Sequence, residues 1–446
     1  MFILRCHLNV ILAGMLAVPV SGFSAAILPE ASPDLSEPVL PAHICAKLAP
    51  RQDYSAGDDS QRLQSAINHC PRGEALQLLA GHFSSGPLTM KSGVTLWISH
   101  GAILAANTDP RVYDKNGRCG TLDDKGNGCR PFIVFKNTEG GGIVGEGTID
   151  GQGGERMQGE NESWWQLARR AQREGAAQNV PRLIEIDDGS NMTFHGITLR
   201  NSPGFHVTLK NVRNATFWGV RIDTPANARN TDGIDPVSSQ NILIAHSFIR
   251  TGDDNVAIKA GAAGPTRHVL LVDNHFYWGH GMSIGSETVG GVSDIRVRDL
   301  TLDGTTSGLR IKSDLSRGGI VSDIRYENVC MRGNRRPLDF DTRYDAHAIG
   351  NNIPVYRDIS LTHISGETGQ LVLRGYDAAH SLHFALNGVH FSHAARWLIE
   401  AAQIRIGPDG VSPVPAGEAS LQPAVVPVDC ATHWIPFPVT DAPSVK

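Results

Sequence analysis

The sequence predicts an all-β solenoid, a parallel β-helix with a short helix over its N-terminal end. Three observations carry that expectation. From Asn191 onward, segments of one pattern recur: N-M-T-F-H-G-I-T-L from Asn191, N-A-T-F-W-G-V-R-I from Asn214, N-I-L-I-A-H-S-F-I from Asn241 and H-V-L-L-V-D-N-H-F from His268. D-I-R-V-R-D-L-T-L from Asp294 and D-I-R-Y-E-N-V-C-M from Asp323 continue the series, and a weaker copy starts at Asp358. Their period, roughly 23 to 29 residues, lies in the solenoid range. Each unit alternates apolar and polar residues over two short strands and opens on a polar residue, often Asn or Asp. A strand pair that short buries its apolar face only by stacking on its neighbours. Finally, the 48 Gly and 25 Pro among 446 residues favour turns over long helices. The L-x-x-L-x-L consensus of leucine-rich repeats and the Trp-Asp pairs of propellers are both missing.

Taken in order, the chain opens on a targeting segment: Arg5, an apolar run from Val10 to Val20 too short for a confident span, and small residues at Ser24-Ala25-Ala26. Residues 1–26 are thus expected to be a signal peptide, and 27–446 one catalytic β-helix domain of an exported, soluble protein. Ile27 to Pro41 is a Pro- and Ser-rich leader. Leu63, Ala66 and Ile67 stand at helical spacing after Asp59-Ser60, either of which suits the cap of a helix covering the open end. Strand signals follow at Leu76 to Leu79 and Val94 to Ile98, then a Gly/Asp/Lys loop from Cys119 to Cys129, and a short strand among turns at Gly141 to Gly154. Ser163 to Gln178 reads as the only other helix, decorating the outside. The repeat fades beyond Ser392, and a Pro-rich tail from about Pro408 is expected to wrap the last coil.

Composition narrows the function. A net charge of −5 argues against a nucleic-acid binder. The 18 His are scattered, without H-E-x-x-H spacing, so no metal site is expected. Six cysteines remain after the leader: Cys45, Cys70, Cys119, Cys129, Cys330 and Cys430. An even number in an exported chain suggests disulfides, and six allow fifteen connectivities. Sequence proximity favours Cys45–Cys70, Cys119–Cys129 and Cys330–Cys430. No C-x-x-C is present.

The chemistry-bearing residues fall in successive repeats: N-T-D-G-I-D-P from Asn230, G-D-D-N-V-A-I-K from Gly252, G-H-G-M-S-I-G-S-E from Gly279 and G-L-R-I-K from Gly308. With coils about 4.8 Å apart, Asp232, Asp253, Asp254, His280, Arg310 and Lys312 become neighbours on one outer face. Arg310 and Lys312, two apart, point to one side of a strand. Asp253 and Asp254 would point oppositely unless Gly252 allows a bend. Inverting hydrolysis of a glycosidic bond needs one carboxylic acid for the leaving oxygen and a carboxylate to activate water. Clustered carboxylates raise one another's pKa and keep a proton available. The basic pair suits a substrate that carries carboxylates.

These four motifs, with S-P-G-F-H-V at Ser202 and G-T-I-D-G-Q-G-G at Gly147, resemble glycoside hydrolase family 28, the polygalacturonases, and most of all its bacterial endo-acting members. The resemblance covers about Cys45 to Thr362. It implies a right-handed parallel β-helix and metal-free, cofactor-free inverting hydrolysis of α-1,4-linked galacturonic acid in pectin. Carried over by position, Asp253 is the general acid, Asp232 and Asp254 hold and activate water, and His280 sets the protonation of the acid. Arg310 and Lys312 grip the galacturonate carboxylate, Asn230 adds to the subsite and Tyr344 lines the cleft. The tail after about Gly407 departs from the pattern.

Other residues read more plainly. Asp235 beside Pro236 is taken as a turn residue, and His206, His246, His268 and His275 as structural. Trp164-Trp165 reads as helix packing. Lys259 is divided between a solvated side chain and a substrate contact, as are Arg229 and Arg343. Competing functions are an exo-acting or other pectin-backbone hydrolase, a β-helix pectate lyase and a non-catalytic polysaccharide binder. A polysaccharide is the expected partner of a monomer that binds neither nucleic acid nor membrane.

Overall fold

Strands stack coil on coil in parallel register. In the computed structural model, which describes residues 35–51, 58–392, 394–416 and 427–439, one sheet of 11 strands climbs from Leu88–Met90 to Arg396–Glu400. Its middle steps are Val207–Lys210, Ile234–Val237, Val256–Ile258, Met282–Ile284, Ser307–Lys312 and Arg336–Asp341. A 20-stranded sheet carries the other strands of the coils. This is the right-handed parallel β-helix that the repeats and the resemblance predict.

The alternation in the sequence becomes two ladders. Val256, Met282, Leu309, Leu338 and Leu371 are register partners on successive coils and are fully buried. Ser283, Arg310 and Asp339 form the opposite ladder on the outer face. Truncating one such leucine to alanine costs about 2–5 kcal/mol.

The polar residue opening each unit has a backbone cause. Asn191, Asn214 and Asn241 take φ of 57, 59 and 58°, and Asp294, Asp323 and Asp358 take 53, 54 and 54°. Asn and Asp enter this left-handed region at low cost, because their short side chains bond locally. Asn214 donates to Asn191 at 3.0 Å and Asn241 to Asn214 at 3.1 Å, so the bends are laddered too.

The helix Ser60–His69 buries Leu63 and Ile67 over the N-terminal end. The Asp59 side chain makes no cap hydrogen bond; its carboxylate pairs with Arg51 and Arg62, and Asp58 accepts from the Ser60 N–H instead. The second long helix is shorter than its pattern, Trp164–Glu174, held by a Ser163–Gln166 capping box and stopped by left-handed Gly175. Ala177–Gln178 beyond it pairs with Leu122–Asp123 as a strand. Trp164 is buried, and the Trp165 indole donates to the Ser202 carbonyl, so both are packing residues. A four-residue helix at Pro110–Tyr113 was too short to show periodicity.

Two expectations about the C-terminal end are corrected. Coils continue past Ser392 through Arg396–Glu400, Ala402–Ile406 and Val411–Ser412, because these strands still pair with the coil before. The described part of the tail, 427–439, does not wrap the last coil. It runs back along earlier ones: Val428 N–H bonds Ser365, Cys430 is joined to Cys330, Arg332 lies 4.2 Å over Trp434, and Phe437 meets Tyr277 and Arg250. All three disulfides favoured by proximity are present. The targeting segment and most of the leader lie outside the described residues. Among those described, no helix is long and apolar enough to cross a membrane.

Candidate active site

The turn after strand Phe248–Arg250 carries two acidic residues to one place. It packs on the backbone of the preceding coil so closely that a Cβ at Gly252 would stand 1.8 Å from the Ala228 carbonyl oxygen. Thr231 pins the same junction, donating to the Ala228 carbonyl and accepting from the Gly252 N–H. The bend brings Asp253 and Asp254 to the same groove, where their carboxylates and the His280 ring approach within 4.8 Å of one another. His280 arrives from the next coil with its backbone N–H on the Asp253 carbonyl at 2.8 Å and Nδ1 on the Asp253 carboxylate at 3.0 Å. Gly281 after it has φ 86° and passes so near Ser307 that no side chain fits.

Each acid has its own partners. Asp254 is buried; its Oδ1 accepts from Ser283 at 2.7 Å, and its Oδ2 accepts from Lys312 at 2.6 Å. Arg310 stands 3.6 Å from Asp254 and 3.2 Å from Asp339. Asn230, in left-handed backbone, donates to Asp253 at 3.4 Å and accepts from Gln178 at 2.9 Å. Asp232 is buried beside Lys259, whose ammonium is 3.2 Å from it and 2.7 Å from Asp235. The second oxygens of Asp232 and Asp235 meet no protein donor. The exposed Tyr344 ring lies 5.3 Å from both the Arg310 and Lys312 head groups.

Two buried carboxylates on one ammonium leave a surplus negative charge, and a proton relieves it. Burial and the Asp235 charge therefore push the Asp232 carboxyl well up despite Lys259, and burial pushes Asp235 up to about 6 against the same cation. Asp253 goes the other way. Burial works to raise it, but the hydrogen bond and charge of His280, then Lys312, outweigh burial and hold it below the usual carboxylate range. Lys259 and Lys312 resist the pull of burial through their carboxylates and stay charged.

The fold thus brings together every site residue singled out from the sequence: Asp232, Asp253, Asp254, His280, Asn230, Arg310, Lys312 and Tyr344. Some secondary readings change. Asp235 is not in a turn but in strand Ile234–Val237, fully buried on Lys259; the Pro236 carbonyl still accepts from the Lys259 N–H at 2.8 Å, so the ladder runs through the proline. Lys259 is neither solvated nor free for substrate, since two acids and the Phe205 face 4.5 Å away enclose it. Arg229 bonds Gln178, and Arg343 bonds the Tyr376 carbonyl. His206 is buried beneath Asp232. Ser283, Asp339 and Gln178 escaped the sequence reading. Ser283 was legible as the register partner of Arg310, whereas Gln178 carries no local signal.

Asp253, Asp254 and His280 are also spaced as cation ligands are. Lys312 and Ser283 already engage both Asp254 oxygens, and His280 engages Asp253, so the charge that a metal would supply is met by side chains.

A family model described as Glycosyl hydrolases family 28 matches residues 73–405. An endo-polygalacturonase of Pectobacterium carotovorum subsp. carotovorum is 43% identical over 389 residues, 86% of this chain and 95% of that protein. The solved polygalacturonase from Erwinia carotovora ssp. carotovora superposes with a TM-score of 0.81 at 42% identity, over 84% of this chain and 99% of that one. A hyperthermoactive exopolygalacturonase from Thermotoga maritima, 21% identical, shares the fold with a TM-score of 0.69 over 85% and 92% of the two chains.

Proposed function

Because this chain belongs to glycosyl hydrolase family 28 and is a glycoside hydrolase, we propose that it is an endo-polygalacturonase, cutting α-1,4 bonds between galacturonic acid residues inside pectin chains. The observation that carries the reading is the convergence of Asp232, Asp253 and Asp254 with His280, Arg310 and Lys312 on consecutive coils. A polyanionic substrate accounts for cations standing beside the acids, and the matched endo-acting relative supports the internal cut.

In the proposed mechanism Asp253 and His280 act as one acid. They share a hydrogen bond, so the proton delivered to the glycosidic oxygen belongs to the pair and leaves through Asp253. Asp254, its charge fixed by Lys312, and Asp232, with an oxygen free of protein donors, hold and activate water for attack on the opposite face of the sugar. Arg310 meets Asp254 through one terminal nitrogen and Asp339 through Nε, and with the rest of its fork, together with Lys312 beneath Tyr344, it holds the substrate carboxylate. Asn230 aligns Asp253. A second assignment, with Asp232 as the acid, is favoured by the burial and the Asp235 charge that raise its carboxyl.

The test is product analysis on unesterified polygalacturonate with chelator present, for wild type and Asp253→Asn. A spread of saturated oligomers with an inverted anomeric centre, absent in the variant, is expected. Monomer alone means exo action, and unsaturated products mean elimination. Loss of activity in Asp232→Asn with retention in Asp253→Asn transfers the acid role to Asp232. The protein is further proposed to be exported by residues 1–26 and to act as a monomer with residues 27–446 as one catalytic domain; N-terminal sequencing and sedimentation check these points.

A further inference from the structure

Between Trp278, just before the turn that carries His280, and Phe437 of the C-terminal tail lies the Arg250 guanidinium, 4.5 Å from the first ring and 3.9 Å from the second. We propose that Phe437 is a positioning residue for hydrolysis, holding in place the two turns that carry Asp253, Asp254 and His280. The inference rests on the hydrolase reading above and adds to it a residue beyond the matched stretch 73–405.

The turns themselves supply the first reason. His280 stands between Gly279 at φ 130° and Gly281 at φ 86°. A Cβ at Gly279 would stand 2.7 Å from the Asn255 amide oxygen and 2.9 Å from the Asp253 carbonyl. Glycine allows that approach but gives the backbone no stiffness of its own, so the turn is held by what packs around it. Trp278 is tied at three points. Its indole donates to the Thr224 carbonyl at 2.9 Å, and its carbonyl accepts from the Thr251 N–H at 3.3 Å and the Asn255 amide at 3.1 Å. Thr251 in turn donates to the Asp253 carbonyl at 2.8 Å, and buried Asn255 accepts from the Gly281 N–H at 2.9 Å. Trp278 therefore stands where the acid turn and the histidine turn are joined.

The tail supplies the second reason. Arg250 forks onto Asp223 at 2.6 and 2.8 Å, which fixes the plane of the cation, and the two aromatic faces on either side both attract it. Phe437 closes the outer side of this stack, and without it Trp278 loses that backing. Phe437 is itself well anchored. Tyr277 meets its ring edge to face at 5.3 Å and donates to the Ile435 carbonyl at 2.7 Å, and Cys430 is bonded to Cys330. Phe437 thus acts through Arg250 and Trp278, not on the reacting atoms.

The test measures kcat and KM on unesterified polygalacturonate, together with thermal unfolding, for wild type, Phe437→Ala and Phe437→Tyr. In Phe437→Ala kcat should fall about 10-fold with KM unchanged, less than the roughly 10²-fold that a 1 Å misplacement can cost. Phe437→Tyr keeps the ring and should recover the wild-type kcat, with both variants folded at the assay temperature. Unchanged kcat in Phe437→Ala overturns the proposal. A rise in KM alone overturns it too, since the tail would then meet substrate, as does an activity loss that only matches a loss of folded protein. A wild type that yields no hydrolysis products overturns the hydrolase reading and the positioning role with it.

Discussion

Two hydrogens of His206 converge on one oxygen: its backbone N–H and its Nδ1–H meet the Asp232 carbonyl at 2.8 and 3.0 Å. A carbonyl only accepts, so Nδ1 carries the proton, and Nε2 is left to accept from the Thr224 hydroxyl at 2.7 Å. The neutral ring fits and the charged ring does not; burial pulls its pKa from 6.5 to about 4. Between those values the unfolded chain binds a proton that the native protein refuses, so the stabilisation is present above pH 6.5 and lost as pH falls to 4. The stability advantage of wild type over His206→Gln should shrink by roughly 3 kcal/mol across that window, measured by urea unfolding at several pH values.

Lys259→Met would leave Asp232 and Asp235 facing each other in the interior. Breaking such a buried arrangement costs about 3–5 kcal/mol. With the ammonium gone both carboxyls rise further above their unfolded values, so the native state binds more protons than the unfolded one and loses stability as pH rises. The variant should be closest to wild type near pH 4 and furthest near pH 7, and thermal unfolding at the two pH values checks it.

Asp253→Asn keeps the size of the side chain and removes the proton-carrying group. Turnover on polygalacturonate should fall about 10²- to 10⁴-fold, the worth of a general acid, while substrate binding by the inactive protein persists. In His280→Ala the hydrogen bond and charge that hold Asp253 down are gone and burial dominates. The Asp253 carboxyl should then titrate higher, as read by carbon-13 NMR.

Cys330 and Cys430 close a loop of sequence separation 100. Replacing both with alanine should cost about 2–5 kcal/mol. Amide exchange should also quicken around Tyr277 and Trp278. Tyr277 packs on Phe437 and bonds the Ile435 carbonyl, and Arg250 is sandwiched between Trp278 and Phe437. Exchange that quickens evenly along the chain would deny the tail a local role.

Arg310→Lys keeps one charge and gives up the fork that faces Asp254, Asp339 and a substrate carboxylate at once. KM should rise several-fold, with a smaller change in kcat. A fall in kcat alone would place Arg310 in the service of Asp254 and not of substrate.

The β-helix and its acids were legible because both are written in a period. Alternation with Asn or Asp at each bend marks a coil, and residues at one phase of successive coils must meet. Asp235 was misread because Pro236 is a strong local turn signal, yet its carbonyl serves the ladder and its missing N–H does not stop it. The path of the tail was illegible for another reason. It depends on a disulfide and on Trp434 and Phe437 meeting Arg332 and Arg250, contacts without periodicity. The enclosure of Lys259 was hidden because it is set by Phe205 and two acids from different coils.

Asp232, Asp253, His280 and Arg310 each come from a different turn of the solenoid, and every turn is aligned only by its pairing with the next. A slip of one residue in any of these turns would swap inward for outward positions along it. One member of the proposed catalytic group would then point into the core while the rest of the molecule stayed folded. Hydrolytic activity is therefore a register gauge for this part of the chain, sensitive to an error that bulk measures of β content would pass over.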